Sequence, residues 1–388
     1  MFGGGAQLDS FDRPGLWPTA EQTQVLKAAL FEDQRAIDAF SEWRAGIDIA
    51  DDFGYDVLRL LPLVFHNLHR LGVRDPLMGR LKGTYRMSWV KNHKLFAAIA
   101  PVIEALQSAG VDVMLLKGAP LVASYYRNPA LRPMADVDLL IRPRDVDVAI
   151  RTVVDMGWHS FAPFSNDYRR FRHALQFIDE AGTEFDLHWH ALYEFCQDAA
   201  DDVFWRDAER FDFAGLSVVM PNPSLMLFHT VVHGVRWNEE PPIRWIADAT
   251  QILRCRNIDL DWDLVVRLAV DRQVVERLRL GLEYLHATFD APMPRHVLST
   301  LQDHRSTLLE WIEARSVLRN RRRFYRTPIG SLWIDFSEYC RWARRSGPIR
   351  FGIDFSHFLR FRWNLEGRSE IPGMILRGTW KRLAGPAP

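Results

Sequence analysis

Asp136 and Asp138 stand one residue apart in ALRPMADVDLLI, at the head of an apolar run. A third acid, Asp186, sits in TEFDLHWH, where polar and apolar residues again alternate. Successive side chains of a strand point to opposite faces, so Asp136 and Asp138 share a face while Val137 takes the other. Two carboxylates held that close repel, and without a cation one of them tends to keep a proton. A divalent ion removes the conflict. Magnesium takes oxygen ligands at roughly 2.1 Å in an octahedral shell and commonly shares them with phosphates. If the strand of Asp186 neighbours that of the pair, all three acids converge. Such a triad can hold two ions about 3.5–4 Å apart, one activating a hydroxyl and the other steadying a phosphate chain.

The residues upstream suit the same chemistry. The strand pattern VDVMLL (111–116) runs into Lys117-Gly118 and a short helix. A glycine there permits close backbone approach, amides at a helix start can receive phosphate oxygens, and Lys117 can neutralise them. Arg132, four residues before Asp136, carries a rigid fork that binds oxygens bidentately. Tyr126 and Arg127 are candidates for the border of the same pocket.

Other constellations compete. His188 and His190 share strand parity with Asp186, and an Asp-x-His-x-His face could take zinc. The paired acids upstream match magnesium better. His229 and His233 are four residues apart on one helical face and, with Asp248 on the next helix, form a second candidate metal set. Packing between helices is the plainer account of them. YRRFRH (168–173) is a local basic patch that a solvated edge explains equally well.

These residues need elements to position them. DVLRLLPLVFHNLHRLG (56–72) and NHKLFAAIAPVIEALQSAG (92–110) carry apolar residues at helical spacing, with Pro101 expected to mark a kink or a fresh start. Strands are expected at 111–116 and 136–141, with a helix at 144–157 between them and the next strand. A hairpin follows, 173–179 and 183–190, turning at Glu180-Ala181-Gly182. The order is α-β-α-β-α-β-β, an α/β unit. Segments 223–237 and 242–256 are helical again, and the pattern continues to about residue 290. Four regions result: an N-terminal helical region (1–91), the α/β core (92–200), a helical domain (201–320), and a C-terminal extension (321–388) whose structure the sequence leaves open.

LLKGAPLVASYYRNPALRPMADVDLLI followed by EFDLHWH resembles a poorly characterised nucleotidyltransferase family of the DNA polymerase beta-like superfamily. The likeness extends over roughly 92–255, through HTVVHG and RWIADATQIL. It implies a polymerase beta-like core with a mixed sheet, flanked by N-terminal and C-terminal helical regions. It also implies that Asp136, Asp138 and Asp186 carry the metals. Gly118 takes the place of the motif glycine that opens a helix beside the nucleotide phosphates. Ala119 stands where the superfamily has serine, so that hydroxyl contact is absent, and Lys117 is the candidate to compensate.

Composition sets the remaining bounds. The chain has 388 residues, 48% of them hydrophobic, which is enough for a sizeable core and more than one structural unit. Lys+Arg and Asp+Glu are each 49, so bulk positive charge is excluded as a means of coating nucleic acid, though a local basic cleft is not. The three cysteines, Cys196, Cys255 and Cys340, lie far apart and form no CxxC pair, which points to a reducing cytoplasm. No stretch is long and apolar enough to span a membrane.

The expected reaction is magnesium-dependent transfer of a nucleoside monophosphate from an NTP to an acceptor hydroxyl, with manganese as a substitute ion and pyrophosphate as the leaving group. Lys117, Gly118, Ala119 and Arg132 would hold the nucleotide. The acceptor is a small molecule, a peptide, a protein or RNA. A non-catalytic nucleotide-binding regulator and a metal-dependent phosphohydrolase are the alternatives.

Overall fold

The computed structural model describes residues 16–48, 52–197, 199–236, 242–311, 313, 328–343 and 348–377. At its centre is a seven-stranded mixed sheet in the order β3-β4-β5-β2-β1-β7-β6. The strands are β1 (Met114–Leu116), β2 (Asp138–Leu140), β3 (His159–Ser160), β4 (Ala174–Ile178), β5 (Glu184–His188), β6 (Glu209–Phe213) and β7 (Leu216–Met220). β1 runs antiparallel to β2, while β2 and β5 are parallel neighbours. The 173–190 hairpin forms as expected, with Gly182 at φ +80° in its turn.

Side-chain alternation sorts the strand residues into two cores. Leu115, Leu139, Phe185 and Leu187 point to one face. There they meet the C-terminal half of α5 (Met78–Ser108) and α7 (Val146–Asp155), through Ile99, Ile103, Val146 and Val153. Met114, Leu116 and Leu140 point to the other face. They join a larger helical layer made by α1 (Ala20–Leu30), α2 (Gln34–Ala45), α3 (Tyr55–Leu58), α4 (Leu61–Arg70), the start of α5, and the helices after the sheet. Asp138 and His188 have the parity of Leu140, so the chemistry-bearing side chains face that helical layer.

α10 (Pro223–Gly234) is the hub of the layer. Every residue in it except His233 is buried, as suits a helix that is apolar nearly all round. Asn222 caps it by accepting from the Leu225 amide at 3.0 Å. It packs against α11 (Arg244–Arg254), α12 (Trp262–Arg272) and α13 (Val275–Phe289), with α14 (Arg295–Asp303) outside them. The α10–α11 contact depends on a missing side chain: a Cβ at Gly234 would lie 2.1 Å from Trp245 Cγ. That atom is at the root of the indole and cannot swing aside. Gly234→Ala should therefore cost about 1–3 kcal/mol, read as a lower urea midpoint at unchanged slope.

Three features differ from the sequence reading. Pro101 neither kinks α5 into two helices nor starts a new one; a single helix of 31 residues crosses the 91/92 boundary. The 201–320 region is not all helical, because β6 and β7 form a hairpin that adds two strands beside β1. Its turn, Ala214-Gly215, has both residues at positive φ, +52° and +86°. Among the described residues, the C-terminal extension contains three α-helices, Pro328–Trp342, Pro348–Arg362 and Ile371–Arg377, and its core joins α8 (Asn166–Phe171) through Phe171, Tyr339 and Phe358. The RRRF stretch at 321–324 lies outside the described residues. Among the described residues, no helix is long and apolar enough to cross a membrane.

Candidate active site

Parallel pairing of β2 with β5 sets Asp138 directly opposite Asp186, and Leu140 opposite His188. A metal-ligand atom from each of Asp138, Asp186 and His188 lies within 4.8 Å of the others. Asp136 is not in that group. It precedes β2 rather than belonging to it and is half-buried, although its charge still acts on Asp186. The register thus brings Asp138 and Asp186, two of the three acids singled out in the sequence, together with His188, and Asp136 stands outside that group.

Lys117 completes the cluster. Leu116 pairs with Asp138 in the sheet, so the next residue emerges over the carboxylate, and the Lys117 ammonium donates to Asp138 Oδ1. Lys117 has φ +49° and ψ −112°, a backbone state that favours glycine and costs a side-chain-bearing residue free energy. A lysine retained at that turn places its ammonium at the cost of strain.

His188 Nε2 lies 3.0 Å from the same Oδ1. A carboxylate only accepts, so the imidazole donates through Nε2–H. Buried His188 Nδ1 and buried Asp186 Oδ1 have no hydrogen-bond partner. Together with Asp138, these side chains can each offer a ligand atom to one cation.

The electrostatics agree. Burial alone would raise the pKa of Asp138, but the Lys117 ammonium and the His188 hydrogen bond outweigh it and hold the carboxyl well below its usual range. Asp186 has no such partner, and burial together with the Asp138 charge pushes it up to about 6. Three more histidines surround the cluster. His173 has its ring 5.4 Å from that of His188, and burial followed by His188 pushes its pKa well below the ordinary value. His229 is pushed down to about 3 and His233 well down, in both cases by burial and then by Lys117. All three are neutral acceptors or donors at neutral pH, not cations. His173 escaped the sequence reading, although the hairpin register places it one residue before the partner of His188.

Several expected site residues are committed elsewhere. Arg132 turns its fork to Asp248, with Nε and Nη2 donating to the two carboxylate oxygens at 2.8 and 2.9 Å, both residues buried. The Tyr126 hydroxyl donates to the same carboxylate at 2.8 Å. Arg132 is thus a strut between the loop before β2 and α11. Arg244 reaches that loop too, donating to the Pro133 carbonyl at 2.5 Å, and burial followed by Arg132 and Arg59 lowers its pKa to about 9. Asp248 is therefore not a partner of His229 and His233, whose rings stack 5.7 Å apart while His229 Nε2 donates to the Ala191 carbonyl. β5 ends at His188, and His190 turns away to Asp201 at 2.6 Å, so the second histidine of Asp-x-His-x-His leaves the face.

Gly118 and Ala119 are buried in a four-residue helix, α6 (Gly118–Leu121), that widens into a π-turn over Val122–Tyr126. A Cβ at Gly118 would lie 2.5 Å from Met134 Sδ and 2.7 Å from Arg132 Nη1. Glycine here makes room for the chain's own loop. The basic patch is likewise used internally, since Arg169 pairs with Asp147 at 2.8 Å and Arg170 with Asp354 at 3.0 Å.

The family of uncharacterised nucleotidyltransferases matches residues 55–290, the span that holds every residue of the cluster. The chain belongs to that family. No curated protein matches it. Among solved structures, an antigenic nucleotidyltransferase-like protein from Paracoccidioides brasiliensis is similar over 55% of this chain and 93% of that one. The identity is 15% and the TM-score 0.36, too remote to say anything of the site. Family membership and the Asp138/Asp186/His188 cluster together give the chain a catalytic function of the nucleotidyl-transfer type, acting on nucleotides through a site able to hold a metal.

Proposed function

We propose that the protein transfers a nucleoside monophosphate from an NTP to an acceptor hydroxyl and releases pyrophosphate. The observation that carries this reading is the register that sets Asp138 against Asp186 and leaves Asp186 Oδ1 unpartnered. The oxygen donors fit magnesium, with manganese as a substitute. Asp138 and Asp186 would hold it, assisted by His188 or by Asp136 from the preceding loop. When bound, the ion supplies charge neutralisation and a more acidic acceptor hydroxyl.

The chain's own groups do the rest. The acceptor oxygen forms a bond to the α-phosphorus, and the bond to the bridging oxygen of the β-phosphate breaks. Asp186 would take the hydroxyl proton, and pyrophosphate carries away the bonding electron pair. The Lys117 ammonium offsets negative charge where the phosphates and carboxylates meet, and the Gly118 and Ala119 turn sets its position. Arg132 acts by holding the loop, tied as it is to Asp248. Rate comes from placement and neutralisation, as is general for phosphoryl chemistry.

The direct test incubates purified protein with each NTP, magnesium and a cell extract, then searches by mass spectrometry for added nucleoside-monophosphate masses on extract components and on the protein. A product that disappears with chelator supports the proposal. Free nucleotide or phosphate with no linked product would make the site a phosphohydrolase instead. A narrower test uses the strained turn. Lys117→Gly keeps the backbone state at no steric cost and removes the ammonium. The turn is relieved but Asp138 is left buried without its cation, so stability should fall by about 1–3 kcal/mol in urea denaturation while transfer by the folded protein falls about 10²-fold. One observation favours a second reading: Lys117 already supplies Asp138 with a cation, and Ala119 replaces serine, as would suit a nucleotide sensor. Nucleotide binding without pyrophosphate release would select it.

A further inference from the structure

From Met78 to Ile103, helix α5 carries charge of one sign in a chain whose net charge is zero. No acidic residue occurs between Asp75 and Glu104, whereas Arg80, Lys82, Arg86, Lys91 and Lys94 all fall in that stretch. Lys82, Arg86, Trp89 and His93 follow one another at steps of four, three and four residues, so they form a single stripe along the helix. Met87, Val90 and Lys94 form the stripe beside it. All seven are exposed, Met87 by 57%, Trp89 by 47% and Val90 by 44%. Lys82, Arg86 and Lys94 form no ion pair among the described residues. The Trp89 indole is steadied without being covered: its ring lies 3.9 Å from that of His93, whose Nδ1 is 2.8 Å from the Trp89 carbonyl.

Both ends of this surface lead somewhere. At the N-terminal end an open pocket of about 590 Å³ is lined by Phe65, His69, Arg74 and Lys82 among others. The carboxylate in its wall, Asp75, is engaged by Arg44 at 3.2 Å. At the other end, Asn92 is one helical turn from Trp89. Its side-chain amide donates to the carbonyls of Pro129 and Arg132 at 2.6 and 2.9 Å, and its Oδ1 accepts from the Met134 amide at 3.1 Å. That is the segment leading into Asp136, so the helix that carries the basic surface also holds, by its buried side, the loop beside the active site.

We infer that this face of α5, with the adjoining pocket, binds single-stranded nucleic acid. Unpaired cations spaced about 6 Å and then about 12 Å along the helix suit a polyanion. A fixed, uncovered indole among them suits stacking by a base. An anionic membrane fits less well, because the exposed apolar residues are interspersed with cations rather than gathered into a broad face, and the pocket is recessed. That the bound strand is also the acceptor rests on the transfer reading above; the binding itself does not.

The test measures fluorescence anisotropy of a labelled single-stranded RNA or DNA of about 20 nucleotides with the full chain, without NTP or divalent ion. Binding should weaken with salt at a log–log slope near −2 to −3, at about −0.7 per phosphate contact. Lys82→Glu/Arg86→Glu/Lys94→Glu should weaken it at least about 30-fold, and Trp89→Ala about 10-fold. All four positions are exposed, so folding is spared. The inference is overturned by absent binding at low salt, by unchanged binding in the triple variant, or by capture of anionic phospholipid vesicles with no strand bound. Calorimetric titration with magnesium and ATP reports on the acidic site separately, so failure there defeats the transfer reading while leaving this surface intact.

Discussion

Asp186→Asn protein should fold at least as well as wild type and transfer nucleotide at least about 10³-fold more slowly. The two effects have opposite signs because one cause underlies both. Asp186 Oδ1 lies buried without a donor and faces the charge of Asp138. In the metal-free protein that charge is a liability, and amidation removes it in place. For catalysis the same charge is the means of holding a cation. The sign of the pH dependence follows. Burial, then Asp138, raises the folded-state pKa of Asp186 from 3.8 to about 6. Folding therefore takes up a proton in that window, and the contribution of this group is fullest at acid pH and lost as pH rises through about 6. Without divalent ions, wild type should lose stability relative to Asp186→Asn between about pH 4 and about pH 7. Chelator-treated samples melted across that range give the comparison. A parallel pH profile for the two proteins, or retained turnover in the variant, would sink the assignment.

The largest loss of stability is expected from Asp248→Ala, about 3–5 kcal/mol. The buried carboxylate accepts from two nitrogens of Arg132 and from the Tyr126 hydroxyl, and its charge also offsets that of Arg244. Removing it leaves a guanidinium and a hydroxyl inside the protein with nothing to receive their hydrogens, which costs more than the pair ever contributed. Arg132→Met/Asp248→Leu should recover much of the loss, since a packed apolar pair carries no stranded charge. Urea denaturation of the two variants and wild type decides it. A loss under about 1 kcal/mol in Asp248→Ala would mean that the loop before β2 is held by other contacts.

What could be read from the sequence was what depends on local period. The alternation in DVDLLI and EFDLHWH gave the strands and the faces of Asp138 and Asp186, and glycine at 182 gave the hairpin turn. The family resemblance supplied the mixed sheet that makes those strands neighbours. Long-range pairings were not legible. Nothing near Arg132 reveals that an aspartate 116 residues on will claim its fork. Nothing near His190 shows that Asp201 will turn it off the strand face. Strand parity predicts a direction only while the strand lasts, and β2 begins at Asp138, one residue too late to include Val137 and two too late for Asp136. The β6–β7 hairpin was different. Phe211, Phe213, Val218 and Met220 alternate around Ala214-Gly215, a pattern open to the same reasoning that found its counterpart.

Helix α5 contributes Leu77 and Leu81 at its entry to one apolar core and Leu95, Ile99 and Ile103 to the other. A single rigid rod is thus rooted in both halves of the molecule. The N-terminal helices cannot be traded between relatives like a detachable cassette, because any splice near residue 91 cuts the rod and bares apolar surface on each fragment. Change in this region is confined to the rod's outward side, where recognition can diverge while the frame behind it stays fixed.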